Sequence, residues 1–303
     1  MATDATDDTD ETTDTVSLLN GETLAYRERS GGEVPLLLLH GNAWSSRSWD
    51  FLFEGLPERY HCYAPDMRGF GRSSYETPID SLSDLANDIE TFADALELES
   101  FHLLGWSTGG GVAMRVAIDA PERVRKLVLL SPVGTRGFEL PAIDDTGQPT
   151  GELLATREEI AAAPQVAGML DAQRTGNETT MGAGLDAAVF NGRGTPDPDY
   201  RDAFVEDALS QQNYLDVVHA LVQFNIADEH NSVRAGTGEA SAIDAPTLVL
   251  WGDRDALITE QRVQQTVSDI GENAILAVFE DCGHALPIDA PDRFFEELLD
   301  FLE

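Results

Sequence analysis

Short apolar runs recur along this chain, and stretches with apolar residues at helical spacing separate them. The runs cover residues 34–39, 60–64, 101–104, 126–130, 247–251 and 274–279. A continuous apolar run of this length is typical of a strand in a parallel sheet, which helices cover on both faces. The alternation of strands and helices predicts an α/β fold with a doubly wound sheet.

Local signals mark where some elements begin and turn. Ser81 with Asp84 three residues later predicts a helix start, as an acidic variant of the capping box. Residues 16–19 and 23–27 alternate around Asn20-Gly21, a pair that suits a type I′ turn, so they predict a hairpin.

The segment 134–243 differs from the rest in texture. Residues 158–174 and 200–228 show mostly helical patterns, the first interrupted by Pro164, and a glycine-rich stretch over 181–194 separates them. Because so long a segment is not a loop of a compact domain, it predicts a helical cap inserted into an α/β core. The core comprises residues 15–133 and 244–303, and residues 1–14 predict a disordered acidic tail.

Charge sets this chain apart from an ordinary globular protein. It carries 55 acidic and 19 basic residues, a formal net charge of −36, and its only lysine is Lys126. Such a field argues against nucleic acid and anionic membrane surfaces as partners. The composition resembles that of proteins from salt-loving archaea, in which concentrated salt screens the repulsion. No secretory signal or membrane-length apolar stretch occurs, so we expect a cytoplasmic protein.

Candidate chemistry begins at Gly105-Trp106-Ser107-Thr108-Gly109, directly after one of the apolar runs. This is the G-x-S-x-G pattern of a nucleophile elbow, in which a serine lies on a strained turn between a strand and a helix. Neighbours without a Cβ let the chain pass closely there, and the helix N-terminus favours developing negative charge. Alone, the pattern is also compatible with a tightly packed helix start.

Suitable partners for this serine follow other predicted strands. Asp253 and Asp255 come after residues 247–251, and His284 comes after residues 274–279, while His40-Gly41-Asn42 follows residues 34–39. Functional residues gather beyond the carboxyl ends of strands in open parallel sheets. The chain order Ser107, Asp255, His284 is the order of nucleophile, acid and base in α/β-hydrolases.

On these residues the chain resembles the α/β-hydrolase superfamily, over roughly residues 16–133 and 244–302. The resemblance rests on His40-Gly41, Gly105-x-Ser107-x-Gly109, Gly252-x-x-Asp255, Gly283-His284 and the loop from Asp66 to Ser73. It implies a mostly parallel sheet of about eight strands with an inserted helical cap. It also implies a triad of Ser107, His284 and Asp255, with an oxyanion hole formed by the backbone N–H groups of Asn42 and Thr108.

Some assignments stay open at this point. Asp253 is an alternative triad acid, although family spacing favours Asp255. His61 and His102 lie in predicted strands and have structural interpretations, whereas His219 and His230 fall in the cap and either line the pocket or face solvent. We expect His40 to hold the oxyanion loop and Cys282 to be a small buried residue. The two cysteines form no C-x-x-C pair, and no metal or cofactor motif occurs, so we expect no cofactor and no metal site.

The nucleophile narrows the reaction. Haloalkane dehalogenases and epoxide hydrolases of this fold use aspartate where this chain has Ser107, so they are excluded. Serine implies acyl transfer, and carboxylic esters are the leading small-molecule substrates. The elbow resembles those of arylesterases, of cofactor-free haloperoxidases (perhydrolases) and of some intracellular polyhydroxyalkanoate depolymerases. Hydrolysis of C–C bonds and a weakly catalytic ligand receptor on the same fold remain alternatives. Acyl specificity and oligomeric state are open.

Overall fold

A computed structural model of the chain describes residues 11–144 and 146–303, and its centre is an eight-stranded sheet. The strands, in chain order, are β1 (Glu11–Ser17), β2 (Thr23–Arg29), β3 (Val34–Leu39), β4 (Tyr60–Pro65), β5 (Phe101–Trp106), β6 (Val124–Leu130), β7 (Pro141–Ile143), β8 (Pro149–Leu153), β9 (Thr247–Gly252) and β10 (Ala274–Phe279). The main sheet has the order β1-β2-β4-β3-β5-β6-β9-β10, and β7 and β8 form a separate hairpin.

Within the main sheet, only the pairings of β2 with β1 and β4 are antiparallel, so the six strands β4, β3, β5, β6, β9 and β10 run parallel to one another. The eleven helices of the described residues are α1 (Asp50–Gly55), α2 (Leu82–Ala95), α3 (Thr108–Asp119), α4 (Arg157–Ala162), α5 (Pro164–Thr175), α6 (Glu178–Ala188), α7 (Pro198–Ser210), α8 (Tyr214–Gln223), α9 (Glu260–Ile270), α10 (Leu286–Asp289) and α11 (Pro291–Leu302). The predicted fold class is therefore confirmed.

Both faces of the sheet are buried, which explains the continuous apolar runs. In β3, Leu36 and Leu38 belong to one core cluster, and Leu37 and Leu39 belong to the other. Successive strand residues point to opposite faces, so a leucine at each of the four positions fills both cores. Full burial of each leucine contributes about 1.5–3 kcal/mol to folding.

The N-terminal hairpin forms, but its turn differs from the prediction. Ser17 pairs with Thr23, so the connection spans residues 18–22, and the prediction of a two-residue type I′ turn is wrong. Asn20 accepts a hydrogen bond from the backbone N–H of Glu22 and donates one to Asp88, so tertiary contacts shape the turn. Strand β1 starts at Glu11, inside the segment expected to be a tail, and residues 1–10 lie outside the described residues.

The segment 134–243 contains α4 to α8 and the β7–β8 hairpin. Pro164 begins α5, as the interrupted pattern suggested. The glycine-rich stretch is not a plain separator, because α6 covers most of it. Asn177 caps the start of this helix, and its side chain accepts the Thr180 N–H at 3.0 Å. Helices α7 and α8 contribute to the two main cores, through residues such as Phe204 and Val217.

No helix among the described residues has the length and apolar character that a membrane span requires.

Candidate active site

Ser107 stands at the turn between β5 and α3 in a strained backbone conformation, with φ 55° and ψ −114°. A Cβ on Gly105 would overlap the carbonyl oxygen of Gly109, and a Cβ on Gly109 would overlap that of Leu39. Both flanking positions therefore require glycine for steric reasons. The strain, about 1–3 kcal/mol for such a residue, is held by the packed elements on either side.

His284 and Asp255 meet in the structure. His284 Nδ1 lies 2.7 Å from Asp255 Oδ2, and both side chains are completely buried. The other carboxylate oxygen, Oδ1, accepts the backbone N–H groups of Leu257 and Ile258 at 2.8 and 2.9 Å. These bonds fix the rotation of the carboxylate towards the imidazole. Asp253, the alternative acid, is exposed.

The outer nitrogen of the imidazole, His284 Nε2, is buried and has no hydrogen-bond partner in the described part of the chain. Ser107 therefore is not hydrogen-bonded to it here. The two loops are nevertheless adjacent: the indole N–H of Trp106, next to Ser107, donates to the carbonyl of His284 at 3.1 Å. The rings of Trp44 and His284 lie 6.0 Å apart.

Asn42 and Thr108 carry the two expected oxyanion donors. A Cβ built on Gly41 would lie 3.2 Å from the Cβ of Ser107, so the loop that contains Asn42 passes directly beside the serine. Thr108 is the first residue of α3, where backbone N–H groups lack an intrahelical acceptor. Within the described residues, neither of these two N–H groups donates to another backbone or side-chain group.

His40 supports this loop instead of facing the serine. Its Nδ1 lies 2.8 Å from the carbonyl of Gly41, and its Nε2 accepts the backbone N–H of Met67 at 3.0 Å. This pattern requires the neutral tautomer with the proton on Nδ1. Burial is the main reason why the pKa of His40 is lowered, which also favours the neutral form.

The loop from Asp66 to Ser73, one of the recognised motifs, braces the same region. Asp66 accepts the backbone N–H of Ser46 at 2.7 Å with one oxygen and that of Arg72 at 2.9 Å with the other. Arg68 forms a buried bidentate pair with Asp88, both bonds being 2.6 Å. The motif therefore holds the loop after β3 rather than taking part in proton transfer.

Helix α7 of the inserted segment, together with Gln211 directly after it, covers the loop that contains Asn42 through side chains spaced three and four residues apart. Phe204 packs edge-on against Trp44 at 5.1 Å, Asp207 accepts the hydroxyl of Ser45 at 2.6 Å, and Gln211 donates to Asn42 Oδ1 at 2.8 Å. Residues at such spacing share one helix face. These contacts were not predicted, because the only signal in the sequence was that Asp207 and Gln211 are polar at otherwise apolar positions.

Three other histidines, His61, His102 and His230, and the buried Cys282 do not belong to this group of side chains. His61 pairs with Glu28 at 2.6 Å, and burial lowers the pKa of His102 to about 4. His230 is exposed, and the buried Cys282 donates to the carbonyl of Glu280 at 3.3 Å. No group of three His, Cys, Asp or Glu side chains in the described residues is arranged to hold a metal ion.

Comparison with known proteins supports the same family. The family model for the α/β hydrolase fold matches residues 34–291. The dihydrolipoyllysine-residue acetyltransferase component of the acetoin cleaving system of Cupriavidus necator is 29% identical over 286 residues, which are 91% of this chain. This chain spans only 65% of the length of that relative.

A second relative matches over most of both chains. The 2-hydroxymuconate semialdehyde hydrolase of a Pseudomonas species is 29% identical over 90% of this chain and 88% of its own. Among solved structures, an esterase from Exiguobacterium antarcticum superposes with a TM-score of 0.75 and 20% identity, covering 96% of this chain and 99% of its own. At that identity the superposition shows a shared fold.

Proposed function

Because this chain belongs to the α/β-hydrolase fold family, we propose that it is a serine hydrolase that cleaves carboxylic esters through an acyl-enzyme on Ser107. The observation that carries the proposal is the buried imidazole of His284. Asp255 lies 2.7 Å from one of its nitrogens, and the other nitrogen has no hydrogen-bond partner among the residues that the structure describes. The turn that bears Ser107 lies beside it. An imidazole that a carboxylate orients through one nitrogen, and whose other nitrogen can accept a proton, suits a general base.

In this mechanism His284 Nε2 accepts the proton of the Ser107 hydroxyl as the serine oxygen bonds to the substrate carbonyl carbon. The tetrahedral intermediate then collapses, the bond to the alkoxy oxygen breaks, and His284 returns the proton to the departing alcohol. A water molecule repeats both steps on the acyl-enzyme and releases the acid. Asp255 keeps the Nδ1 proton in place and stabilises the imidazolium that forms in each half.

The backbone N–H groups of Asn42 and Thr108 would stabilise the negative oxygen of each tetrahedral intermediate. Neither donates to another group in the described part of the chain, so both are available to an oxyanion. Loss of one such donor raises the barrier by about 2.7–4 kcal/mol in comparable sites. The neutral His40 and the Asp66 loop support this role, because they hold the backbone on either side of Asn42.

The test is labelling with a fluorophosphonate, followed by mass spectrometry of the modified peptide and turnover of p-nitrophenyl esters of graded acyl length. We expect modification of Ser107, loss of labelling in Ser107→Ala, and turnover of at least one ester. Absence of labelling at Ser107 in folded protein would contradict the proposal. Labelling without turnover of any ester would favour a ligand receptor on the same fold.

A second candidate is hydrolysis of a C–C bond by the same three side chains. One relative is named for a semialdehyde rather than an ester, and it matches this chain over 90% of its length. Incubation with 2-hydroxymuconate semialdehyde, followed by its absorbance, separates this activity from esterase activity. Inclusion of hydrogen peroxide in the ester assay tests the perhydrolase alternative, which the elbow sequence suggests.

We also propose that segment 134–243 acts as a cap over the site and that the protein works in concentrated salt. Helix α7 supports the first point, since it lies over the loop that contains Asn42. The net charge of −36 supports the second, because salt shortens the range of charge repulsion from about 10 Å at 0.1 M to about 3 Å at 1 M. Activity assays therefore belong in molar potassium chloride.

A further inference from the structure

Gln211, directly after α7, has a buried amide oxygen that no group of the described chain satisfies. The residue is 5% exposed. Its Nε2 donates to Asn42 Oδ1 at 2.8 Å and to Asn213 Oδ1 at 2.7 Å, whereas Oε1 has no hydrogen-bond partner. A buried acceptor left without a donor costs about 1–3 kcal/mol, so a substrate group that donates a hydrogen bond to Oε1 would recover that free energy.

The orientation of this amide follows from a backbone group. Asn213 Nδ2 donates to the carbonyl oxygen of Arg68 at 2.6 Å, and a carbonyl oxygen can only accept. The oxygen of Asn213 must therefore face Gln211, which forces the NH₂ group of Gln211 towards it. If the oxygen and nitrogen of the Gln211 amide were exchanged, its oxygen would face Asn213 Oδ1, and two acceptors would lie together. The atom without a partner is therefore Oε1.

The proposed mechanism puts Gln211 on the acyl side of the reaction. The leaving alcohol must be near His284 Nε2, because that nitrogen returns the proton to it. Gln211 instead contacts Asn42, whose backbone N–H is the proposed donor to the acyl carbonyl oxygen. A substituent near Gln211 therefore belongs to the acyl chain, within a few atoms of the carbonyl.

We propose that Gln211 is a specificity-determining residue whose Oε1 accepts a hydrogen bond from a hydroxyl group on the acyl chain. The preferred substrates are then hydroxyacyl esters, a conclusion that rests on the proposed ester hydrolysis. A neutral hydroxyl fits better than an ammonium group, because the two described hydrogen-bond partners of the Gln211 side chain are neutral amides and neither neutralises a buried charge.

The experiment compares p-nitrophenyl butyrate with its 2-hydroxy and 3-hydroxy derivatives, using the full chain in molar potassium chloride. The kcat/KM of each hydroxylated ester is divided by that of the plain ester. This ratio is then divided by the corresponding ratio of the rate constants for hydrolysis by hydroxide, which gives the corrected ratio. We expect a corrected ratio of at least about tenfold for one of the two derivatives, since one satisfied hydrogen bond in a buried site is worth about that much.

Two variants separate the specificity role from a structural one. Gln211→Met and Gln211→Glu both lose the NH₂ group that holds Asn42, and in the glutamate a second oxygen faces Asn42 Oδ1 and Asn213 Oδ1, so both variants lose these two bonds. Only the glutamate keeps an oxygen acceptor at the position of Oε1. We expect the methionine variant to lower the corrected ratio to about one, and the glutamate variant to keep it within about threefold. If Gln211 only positions Asn42, both variants slow all the esters equally and the ratio does not move.

The proposal is overturned if the wild-type ratio is near one for both derivatives while plain esters are turned over, or if Gln211→Met keeps the ratio. Either result leaves the ester hydrolase intact. If the methionine variant does not fold, the wild-type ratio and the glutamate variant decide. Failure of the proposed function has a different signature, namely no labelling of Ser107 and no turnover of any ester, and it removes this inference as well.

Discussion

Replacement of Asp255 by asparagine tests the candidate triad most sharply. The carboxylate divides its two oxygens: Oδ1 accepts the backbone N–H groups of Leu257 and Ile258, and Oδ2 faces His284 Nδ1. In Asp255→Asn the carbonyl oxygen must take the first place, because two N–H donors converge there. The new NH₂ group then points at Nδ1, which can only accept from it.

This single change inverts the tautomer of His284. With Nδ1 as acceptor, the proton of the neutral imidazole moves to Nε2, and that nitrogen can no longer accept the proton of Ser107. Tautomer inversion in serine triads lowers kcat by about 10⁴. At 1.36 kcal/mol for each factor of ten, the barrier rises by about 5.4 kcal/mol. The exposed Asp253 makes no side-chain contact with His284, so Asp253→Asn should change kcat/KM by at most about threefold.

The assay is kcat/KM on the best p-nitrophenyl ester in molar potassium chloride, together with the rate of fluorophosphonate labelling. Thermal unfolding of each variant confirms that the fold is retained, and Ser107→Ala gives the background rate. The reasoning fails if Asp255→Asn stays within tenfold of wild type. It also fails if Asp253→Asn loses more activity than Asp255→Asn, since the acid would then have to be reassigned.

Three further predictions concern stability. Ser107 has φ 55° and ψ −114°, and only glycine relieves the strain of this conformation. The free energy of unfolding of Ser107→Gly should therefore be about 1 kcal/mol higher than that of its matched control Ser107→Ala, measured by urea unfolding in salt. Burial raises the pKa of Asp207 from 3.8 to about 6, so the folded chain binds more protons than the unfolded chain across this range. Wild type should therefore lose on the order of 3 kcal/mol relative to Asp207→Asn between about pH 4 and 7, measured as the difference of their unfolding free energies. With a net charge of −36, the chain should lose its far-ultraviolet circular dichroism on dialysis from molar to millimolar salt.

Each of these has a clear contrary result. Equal stability of the glycine and alanine variants would mean that the turn at Ser107 stores no strain. A pH-independent difference between wild type and Asp207→Asn would mean that this carboxyl titrates alike in the folded and unfolded chain. Full retention of structure in low salt would contradict the interpretation of the acidic composition as an adaptation to salt.

Local features of the candidate site were predictable because their causes are local. The glycines around Ser107 predict a tight turn between a strand and a helix, since a Cβ at Gly105 or Gly109 would collide with the backbone. Asp255 was separable from Asp253 only by family spacing, and the structure adds the physical difference: one carboxylate is buried against His284 and the other is exposed. The turn at residues 18–22 was mispredicted, because its side chains bond to distant residues such as Asp88.

The sequence by itself determined the six parallel strands of the main sheet, the burial of the sheet on two faces and the resemblance to the α/β-hydrolase family. Apolar periodicity and steric exclusion act between near neighbours, and both are written in the order of residues. Only the tertiary structure decided that α7 covers the oxyanion loop, and that Gln211 meets Asn42 with one amide oxygen left over. The contact between Gln211 and Asn42 joins positions 169 residues apart in the chain. No local pattern in the sequence specifies such a contact.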